Sequence, residues 1–223
     1  MRAGRPLPPV TTPHAQALSE AMAAIHRRGW CDGTGGNFSV VTGREPLELL
    51  MAPSGVHKGR VQPEDLIRVG ADGRVLAGRG RASAETALHL AIVQTTAAGA
   101  VLHTHSQAGT LLSAWALEAG GLELADLEML KGLAGITTHA TRVRVPVLAN
   151  DQDLEALSAR ARPLLAQAPH GLLIAGHGLY AWGRDLPEAE RHLEILEFLL
   201  EQRWRQLLLE ALQRRPAGAT WHP

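Results

Sequence analysis

Apolar residues recur at helical spacing along five stretches of the chain. In the last stretch an apolar stripe runs from Leu186 to Leu207 at near-heptad spacing. Three stretches begin at or just after a residue that favours helix N-termini, so we expect Thr12, Ser83 and Ser106 to act as caps. The pattern predicts helices over residues 13–28, 83–98, 106–117, 151–168 and 186–213.

Short apolar or alternating runs bounded by turn residues predict the strands. Asp72 and Gly73 suit the type I′ turn of a hairpin, whereas residues 122–135 are predicted to be a loop or short helix. Strands and helices do not alternate strictly, so the hairpins favour a mixed or antiparallel sheet covered by helices. The predicted strands lie within residues 38–41, 47–52, 67–69, 99–106 and 141–148 and in the two apolar runs of 170–183.

Length and charge narrow the possible classes of protein. The 223 residues suit one domain, and we expect a flexible segment at 1–12, a single domain over 13–213 and a flexible tail at 214–223. Lys plus Arg equals Asp plus Glu at 22 each, which gives no electrostatic case for a nucleic acid or membrane partner. The single cysteine, and a start without a signal-like apolar run, predict a cytoplasmic protein.

The stretch "AVLHTHSQAG" carries the first sign of chemistry. His103 and His105 are two residues apart at the end of an apolar strand, so both side chains project from the same face. Two neutral imidazoles placed in this way can chelate a divalent metal ion. Two solvated or core histidines remain the alternative.

A catalytic metal site requires a third protein ligand and an open position. His177 lies between two glycines after the apolar run "GLLIA", and Glu85 opens the helix before the histidine strand. Each also has a plain structural interpretation, His177 as a surface residue of a tight turn and Glu85 as a carboxylate favoured by the helix dipole.

Two loops of small residues predict anion sites. "GTGGN" spans residues 33–37 and "APSG" spans 52–55, and such loops can direct backbone N–H groups at a phosphate. Lys58 and Arg60 follow closely and could add positive charge. Each loop taken alone is equally compatible with an ordinary turn.

The order of the motifs is more specific than any one of them. "GTGGNFSV", "APSGVHKGRVQPEDL", "SAETALH", "HTHS", "LEMLKG" and "AGHGLYAWG" follow one another over residues 14–210. This arrangement resembles the class II aldolase/adducin family. The resemblance implies an α/β fold of three layers, with a central, mainly antiparallel sheet between helices, and a homotetramer with active sites between subunits.

The resemblance also assigns roles to residues. The metal histidines of the family correspond to His103, His105 and His177, which would hold one divalent ion per subunit, taken here to be zinc. The phosphate-binding positions of a sugar-phosphate substrate correspond to Gly36, Asn37, Ser54, Gly55 and Ser83, and Lys58 is added to them from its position. Ala84 stands where the family has a second serine.

Two carboxylates compete for the catalytic role. The family's aldolases use a glutamate that corresponds to Glu85, whereas its dehydratases use one that corresponds to Glu128. We predict that Glu128 is the acid–base group and that the reaction is dehydration of a ketose 1-phosphate. Aldol cleavage, epimerisation and a non-catalytic scaffold are the alternatives, and His139 is interpreted as a structural or surface residue.

Overall fold

A computed structural model describes residues 12–214, and the two ends that we predicted to be flexible lie almost wholly outside this range. The α-helices are α1 (Pro13–Arg27), α2 (Thr86–Thr96), α3 (Gln107–Trp115), α4 (Leu154–Leu165) and α5 (Leu186–Gln213). The strands are β1 (Asn37–Arg44), β2 (Leu47–Met51), β3 (Ile67–Gly70), β4 (Val75–Ala77), β5 (Ala100–Thr104), β6 (Gly121–Ala125), β7 (Arg142–Leu148), β8 (Gly171–Ile174) and β9 (Gly178–Gly183).

The strands form one mixed sheet in the order β4-β3-β2-β1-β5-β9-β8-β7-β6. Every neighbouring pair is antiparallel except β7 and β8, which are parallel. Residues of α1, α3 and α5 pack on one face, and residues of α2 and α4 pack on the other. Because side chains alternate along β5, Leu102 lies in the core beneath α1, α3 and α5, and Val101 lies in the core beneath α2 and α4. The predicted three-layer, mainly antiparallel fold is confirmed.

Two of the predicted caps are present. The side chains of Thr12 and Ser106 accept hydrogen bonds from the first turns of α1 and α3. The prediction for Ser83 was wrong, because α2 begins at Thr86 with Glu85 in the cap position. Ser83 instead accepts a bond from the Glu85 N–H (3.3 Å), which leaves its hydroxyl in the loop before the helix.

Two local predictions were wrong in part, although the short helix predicted within 122–135 is present at Glu128–Gly132 and β3 and β4 form the predicted hairpin. Residues 121–125 form strand β6, which pairs with β7. Leu122 and Leu124 are buried while Glu123 is exposed, so the alternating pattern was present but too short to stand out beside Gly120 and Gly121. The turn after β3 has positive φ at Gly73 but not at Asp72, so it is not type I′. No helix within residues 12–214 has the length and apolar character needed to cross a membrane.

Candidate metal centre and active site

Three histidines converge at the end of β5. His103 lies in β5 and His105 just beyond it, on the same face of the sheet. His177 lies in the turn between β8 and β9, and β9 pairs directly with β5. Nε2 of His103 is 2.8 Å from Nε2 of His105 and 3.4 Å from Nε2 of His177. The sheet order therefore brings together residues more than 70 positions apart in sequence.

Glu85 joins the histidines from the start of α2. Its Oε1 atom is 3.0 Å from Nε2 of His177 and 3.5 Å from Nε2 of His103. One potential ligand atom from each of Glu85, His103, His105 and His177 lies within 4.8 Å of the others. Both sequence candidates for the third ligand therefore reach the cluster.

The surroundings of His103 prepare it to bind a metal ion. Its Nδ1 donates to the carbonyl oxygen of Leu179 (2.9 Å), which leaves the lone pair on Nε2 directed at the cluster. The ring is fully buried and stacks on Tyr180, with 3.9 Å between the ring centroids. Such a contact behind a ligand fixes both tautomer and ring orientation.

The donor set fits a divalent cation. Two nitrogens bound to one tetrahedral zinc ion are about 3.3 Å apart, because each Zn–N bond is about 2.0–2.1 Å long. The separation of 3.4 Å between Nε2 of His103 and Nε2 of His177 is close to this value, whereas the 2.8 Å between Nε2 of His103 and Nε2 of His105 is shorter. Three imidazoles and one carboxylate are ligands that zinc and related divalent metals accept.

The cluster also sets the charge states of its members. Burial raises the pKa of the Glu85 carboxyl, but hydrogen bonds and charge interactions with His103 and His177 outweigh it and hold the pKa well below its usual range. Burial, followed by the neighbouring rings, lowers the pKa of His105 to about 4. At neutral pH the site therefore holds a carboxylate beside a neutral His105, the form in which imidazole binds metals.

A close backbone approach explains one of the glycines around His177. A Cβ atom on Gly178 would lie 1.9 Å from the carbonyl oxygen of Thr104, the residue between the two histidines of β5. Gly176, on the other side of His177, has a φ of +66° and open space around it. One glycine is required by contact and the other by the turn.

A cavity of about 280 Å³ adjoins the cluster. Ser54 and Ser83, two of the predicted phosphate-binding residues, line it together with Glu85 and His177. The loop of Gly55 precedes Lys58. The cavity thus lies between the segments of Ser54 and Ser83 and two of the candidate metal ligands.

The first glycine-rich loop, residues 33–37, contacts the cluster where β1 pairs with β5. Asn37 pairs with His103 across the β1–β5 ladder, and its side-chain amide donates to Oε2 of Glu85. Gly36 packs against the carbonyl oxygen of His103. The Asn37 amide is therefore engaged with the carboxylate in this structure.

Lys58 is buried rather than exposed in the cavity. Only 1% of it is accessible, and its Nζ donates to the carbonyl oxygens of Thr34 (3.0 Å) and Val56 (3.1 Å). Burial lowers its pKa, while Cys31 and Glu85 oppose that shift. Lys58 thus joins the two glycine-containing loops and places a cation beneath them.

Sequence reasoning missed part of the cavity wall. Arg81 and residues 150–152 also line it. Arg81 could have been found, because a basic residue two positions before Ser83 suits an anion site. Residues 150–152 gave no such signal, since their position depends on the parallel pairing of β7 with β8.

Glu128 lies outside the cluster within this chain. It opens a 3-10 turn, its side chain is 67% exposed, and its partners are Lys131 and His139. The hydrogen bond from Lys131 lowers the pKa of Glu128. His139 is likewise exposed and lies 3.5 Å from the Glu128 carboxylate.

The fold and the histidine cluster agree with a family match. The family described as Class II Aldolase and Adducin N-terminal domain matches residues 16–204. The chain belongs to this family.

Individual proteins of the family are similar over most of the chain. It is 47% identical to the methylthioribulose-1-phosphate dehydratase of Methylococcus capsulatus over 190 residues, covering 84% of this chain and 91% of that protein. It is 45% identical to the protein of the same name from Pectobacterium carotovorum, with 88% and 97% covered. The crystal structure of L-fuculose-1-phosphate aldolase from Thermus thermophilus is 28% identical and superposes with a TM-score of 0.71, with 89% and 97% covered.

Proposed function

We propose that this protein dehydrates 5-methylthioribulose 1-phosphate to 2,3-diketo-5-methylthiopentyl 1-phosphate, a reaction of methionine salvage. The observation that carries the proposal is the convergence of Glu85, His103, His105 and His177 beside a cavity lined by Ser54 and Ser83. The identity of 45–47% to proteins named for this reaction supports the choice of substrate.

His103, His105 and His177 would hold one divalent ion per subunit, which we propose to be zinc. When bound, such an ion supplies Lewis-acid chemistry that polarises the C2 carbonyl and stabilises negative charge on its oxygen. The stack on Tyr180 and the hydrogen bond to the Leu179 carbonyl would keep the His103 ring oriented for this task.

The phosphate would be bound at the two glycine-containing loops. Ser54 and Ser83 line the cavity, and their hydroxyls would donate to phosphate oxygens. To these we add the backbone N–H groups of Gly36, Asn37 and Gly55. Lys58 would contribute positive charge beneath the loops rather than a direct exposed contact. Arg81 at the cavity rim supplies a further cation.

The proton transfers require a carboxylate near C3 and C4. In the proposed reaction Glu128 removes the C3 proton, and the electron pair of the C–H bond forms a C2–C3 double bond. The protonated Glu128 then returns the proton to the C4 hydroxyl, which departs as water, and the resulting enol tautomerises to the diketone. Since Glu128 is exposed and outside the cluster, we assign it to the site of a neighbouring subunit.

Assembly as a homotetramer would supply that neighbour. The apolar side chains of Leu111 and Trp115 on α3 are 49% and 62% exposed, and α5 exposes Phe198 (50%) and Leu209 (58%). Exposed apolar side chains grouped on helices are typical of subunit interfaces. We further propose a cytoplasmic location, which the single buried, unpaired cysteine Cys31 supports.

Aldol cleavage is the second candidate, because Glu85 and not Glu128 lies in the cluster of this chain. In that reaction a base takes the proton of the C4 hydroxyl and the C3–C4 bond breaks. An ionised Glu85 beside His177 is suitably placed for such a base.

Product analysis distinguishes the two reactions. Zinc-loaded protein is incubated with 5-methylthioribulose 1-phosphate, and the products are identified by mass spectrometry and NMR. We expect a diketone phosphate lighter than the substrate by one water molecule, and no product from the His177→Ala variant. A three-carbon ketone phosphate with a methylthio aldehyde would instead establish cleavage and contradict the proposal.

A further inference from the structure

The end of strand β5 and the two residues after it have a second face, opposite the candidate metal centre. In the sequence His103-Thr104-His105-Ser106, the histidines project to the candidate metal centre and the two hydroxyl residues project away from it. Both hydroxyl side chains meet the same carboxyl group on α5. Thr104 Oγ1 donates to Oε1 of Glu197, and Ser106 lines the same cavity as Glu197, with its hydroxyl among the groups that lower the pKa of that carboxyl.

The Ser106 hydroxyl has one fixed role as an acceptor. Its Oγ accepts the N–H of Gly109 (3.0 Å) as the cap of α3, so its own proton is available to Glu197. Glu197 therefore receives the hydroxyl proton of Thr104 on one side of His105 and has the Ser106 hydroxyl as a neighbour on the other. The carboxyl bridges the last residue of β5 and the cap of the next helix.

Glu197 is an unusual residue for its position. Only 2% of it is accessible, and none of the ion pairs found within residues 12–214 involves it. Leu193, Leu196 and Leu200 on the same helix are buried in the apolar core, where a carboxyl is unfavourable unless its oxygens are hydrogen-bonded. Burial raises the pKa of Glu197 to about 7, the two hydroxyls oppose this, and Glu201 adds to it.

We infer that Glu197 is a positioning residue of the metal centre, which holds Thr104 and Ser106 so that the rings of His103 and His105 are directed at one point. The inference rests on the proposed function in that it takes these histidines as metal ligands. Glu197 touches neither histidine in the hydrogen bonds of the structure and acts through the backbone between them.

Geometry explains why this backbone needs support from behind. Thr104 is the last residue of β5, and His105 lies outside the ladder, where its N–H donates to the carbonyl oxygen of Trp30 (2.7 Å). A small rotation of the Thr104 peptide therefore moves the two ring tips relative to one another. The contacts of Glu197 on both sides of His105 oppose that rotation.

The test measures metal binding without substrate. Glu197→Met keeps the approximate volume but removes both acceptors, Glu197→Gln keeps one acceptor oxygen, and Thr104→Val removes one donor with little change in shape. Zinc affinity is measured by competition with a chromophoric chelator, and the absorption spectrum of the cobalt-substituted protein reports ligand geometry. Leu193→Ala, one turn earlier on α5 and fully buried, is the control for destabilisation.

We expect Glu197→Met to weaken zinc binding by about tenfold or more and to change the cobalt spectrum, as loss of an outer contact does at other metal sites. Glu197→Gln should restore most of the affinity, and Thr104→Val should lose part of it. The losses of Glu197→Met and Thr104→Val should not add in the double variant, because each breaks the same contact. Leu193→Ala should be less stable with unchanged zinc affinity and spectrum.

Two results would overturn this inference and leave the proposed metal centre intact. One is wild-type zinc affinity and cobalt spectrum in Glu197→Met, and the other is a loss of zinc affinity in Leu193→Ala equal to that in Glu197→Met. If Glu197→Met does not fold, Thr104→Val decides, and wild-type affinity and spectrum in that variant have the same meaning. Failure of the wild-type protein to bind zinc or cobalt would instead contradict the metal centre itself. The outcome of product analysis does not enter this comparison.

Discussion

Gly176 and Gly178 flank His177 and allow a matched pair of substitutions by alanine. The methyl group added at Gly178 would lie 1.9 Å from the carbonyl oxygen of Thr104, whereas real Cβ atoms essentially never approach other atoms closer than 3.0 Å. Strands β9 and β5 would have to separate by about 1 Å at this point. Since Thr104 lies between His103 and His105, the separation is expected to displace two of the proposed metal ligands.

The free energies follow from these contacts. Overpacking of this kind costs about 1–3 kcal/mol, and loss of a ladder hydrogen bond adds about 1 kcal/mol, so Gly178→Ala should lower the free energy of unfolding by about 3 kcal/mol. Gly176→Ala meets no atom, and it places alanine at a φ of +66°, which costs roughly 1–2 kcal/mol. A chain of this size changes its melting temperature by roughly 2–4 °C per kcal/mol.

The assay combines denaturant unfolding of the metal-free proteins with zinc titration. Gly178→Ala should be the less stable variant and should bind zinc at least about tenfold more weakly than Gly176→Ala, because only the former moves the histidine strand. Equal zinc affinities in two folded variants would refute the reasoning. The close approach of Gly178 to Thr104 would then be irrelevant to the metal centre.

Three further substitutions test separate parts of the site. Glu128→Gln should leave stability and metal content unchanged, because the side chain is 67% exposed, and should reduce turnover by roughly 10²–10⁴-fold; near-normal turnover would refute its catalytic role. His177→Ala should lose both metal and activity, and stoichiometric metal measured in the folded variant would place the third ligand elsewhere. Burial lowers the pKa of His89 to about 3 from 6.5, so between these values the unfolded chain binds a proton that the folded chain does not. The free energy of unfolding of the metal-free protein should therefore fall as pH drops through this window, and it should fall less in His89→Gln. It is measured by urea unfolding at pH 7 and pH 5, and an equal loss in both proteins would contradict this prediction.

The positions of the two carboxylates bear directly on the reaction. Glu85 is ionised and held by Asn37 and two histidines, whereas Glu128 is exposed and paired with Lys131. With these three contacts in place, Glu85 can exchange a proton with a substrate only if at least one of them changes. An exposed carboxylate can serve a second subunit, so the catalytic role proposed for Glu128 requires the proposed assembly.

Local features were determined by the sequence itself. Helical spacing located the five α-helices found within residues 12–214, and Thr12 and Ser106 cap two of them as predicted. The spacing of His103 and His105 placed both rings on one face, because side chains of a strand alternate whatever the strand packs against. Each of these inferences depends on residues no more than a few positions apart, and short-range geometry is the same in every fold.

Tertiary structure decided what those local elements meet. The choice between His177 and Glu85 as the third ligand could not be made from spacing, and the structure places both in the cluster because β5 pairs with β9 beside α2. Glu197 looked like one more polar residue of a helix until α5 brought it behind the histidine strand. The position of Arg81 beside the cavity likewise depends on the tertiary fold. The order of strands in a sheet depends on long-range packing, so the sequence indicated which residues could bind a metal, and only the folded chain determined which of them lie close enough to do so.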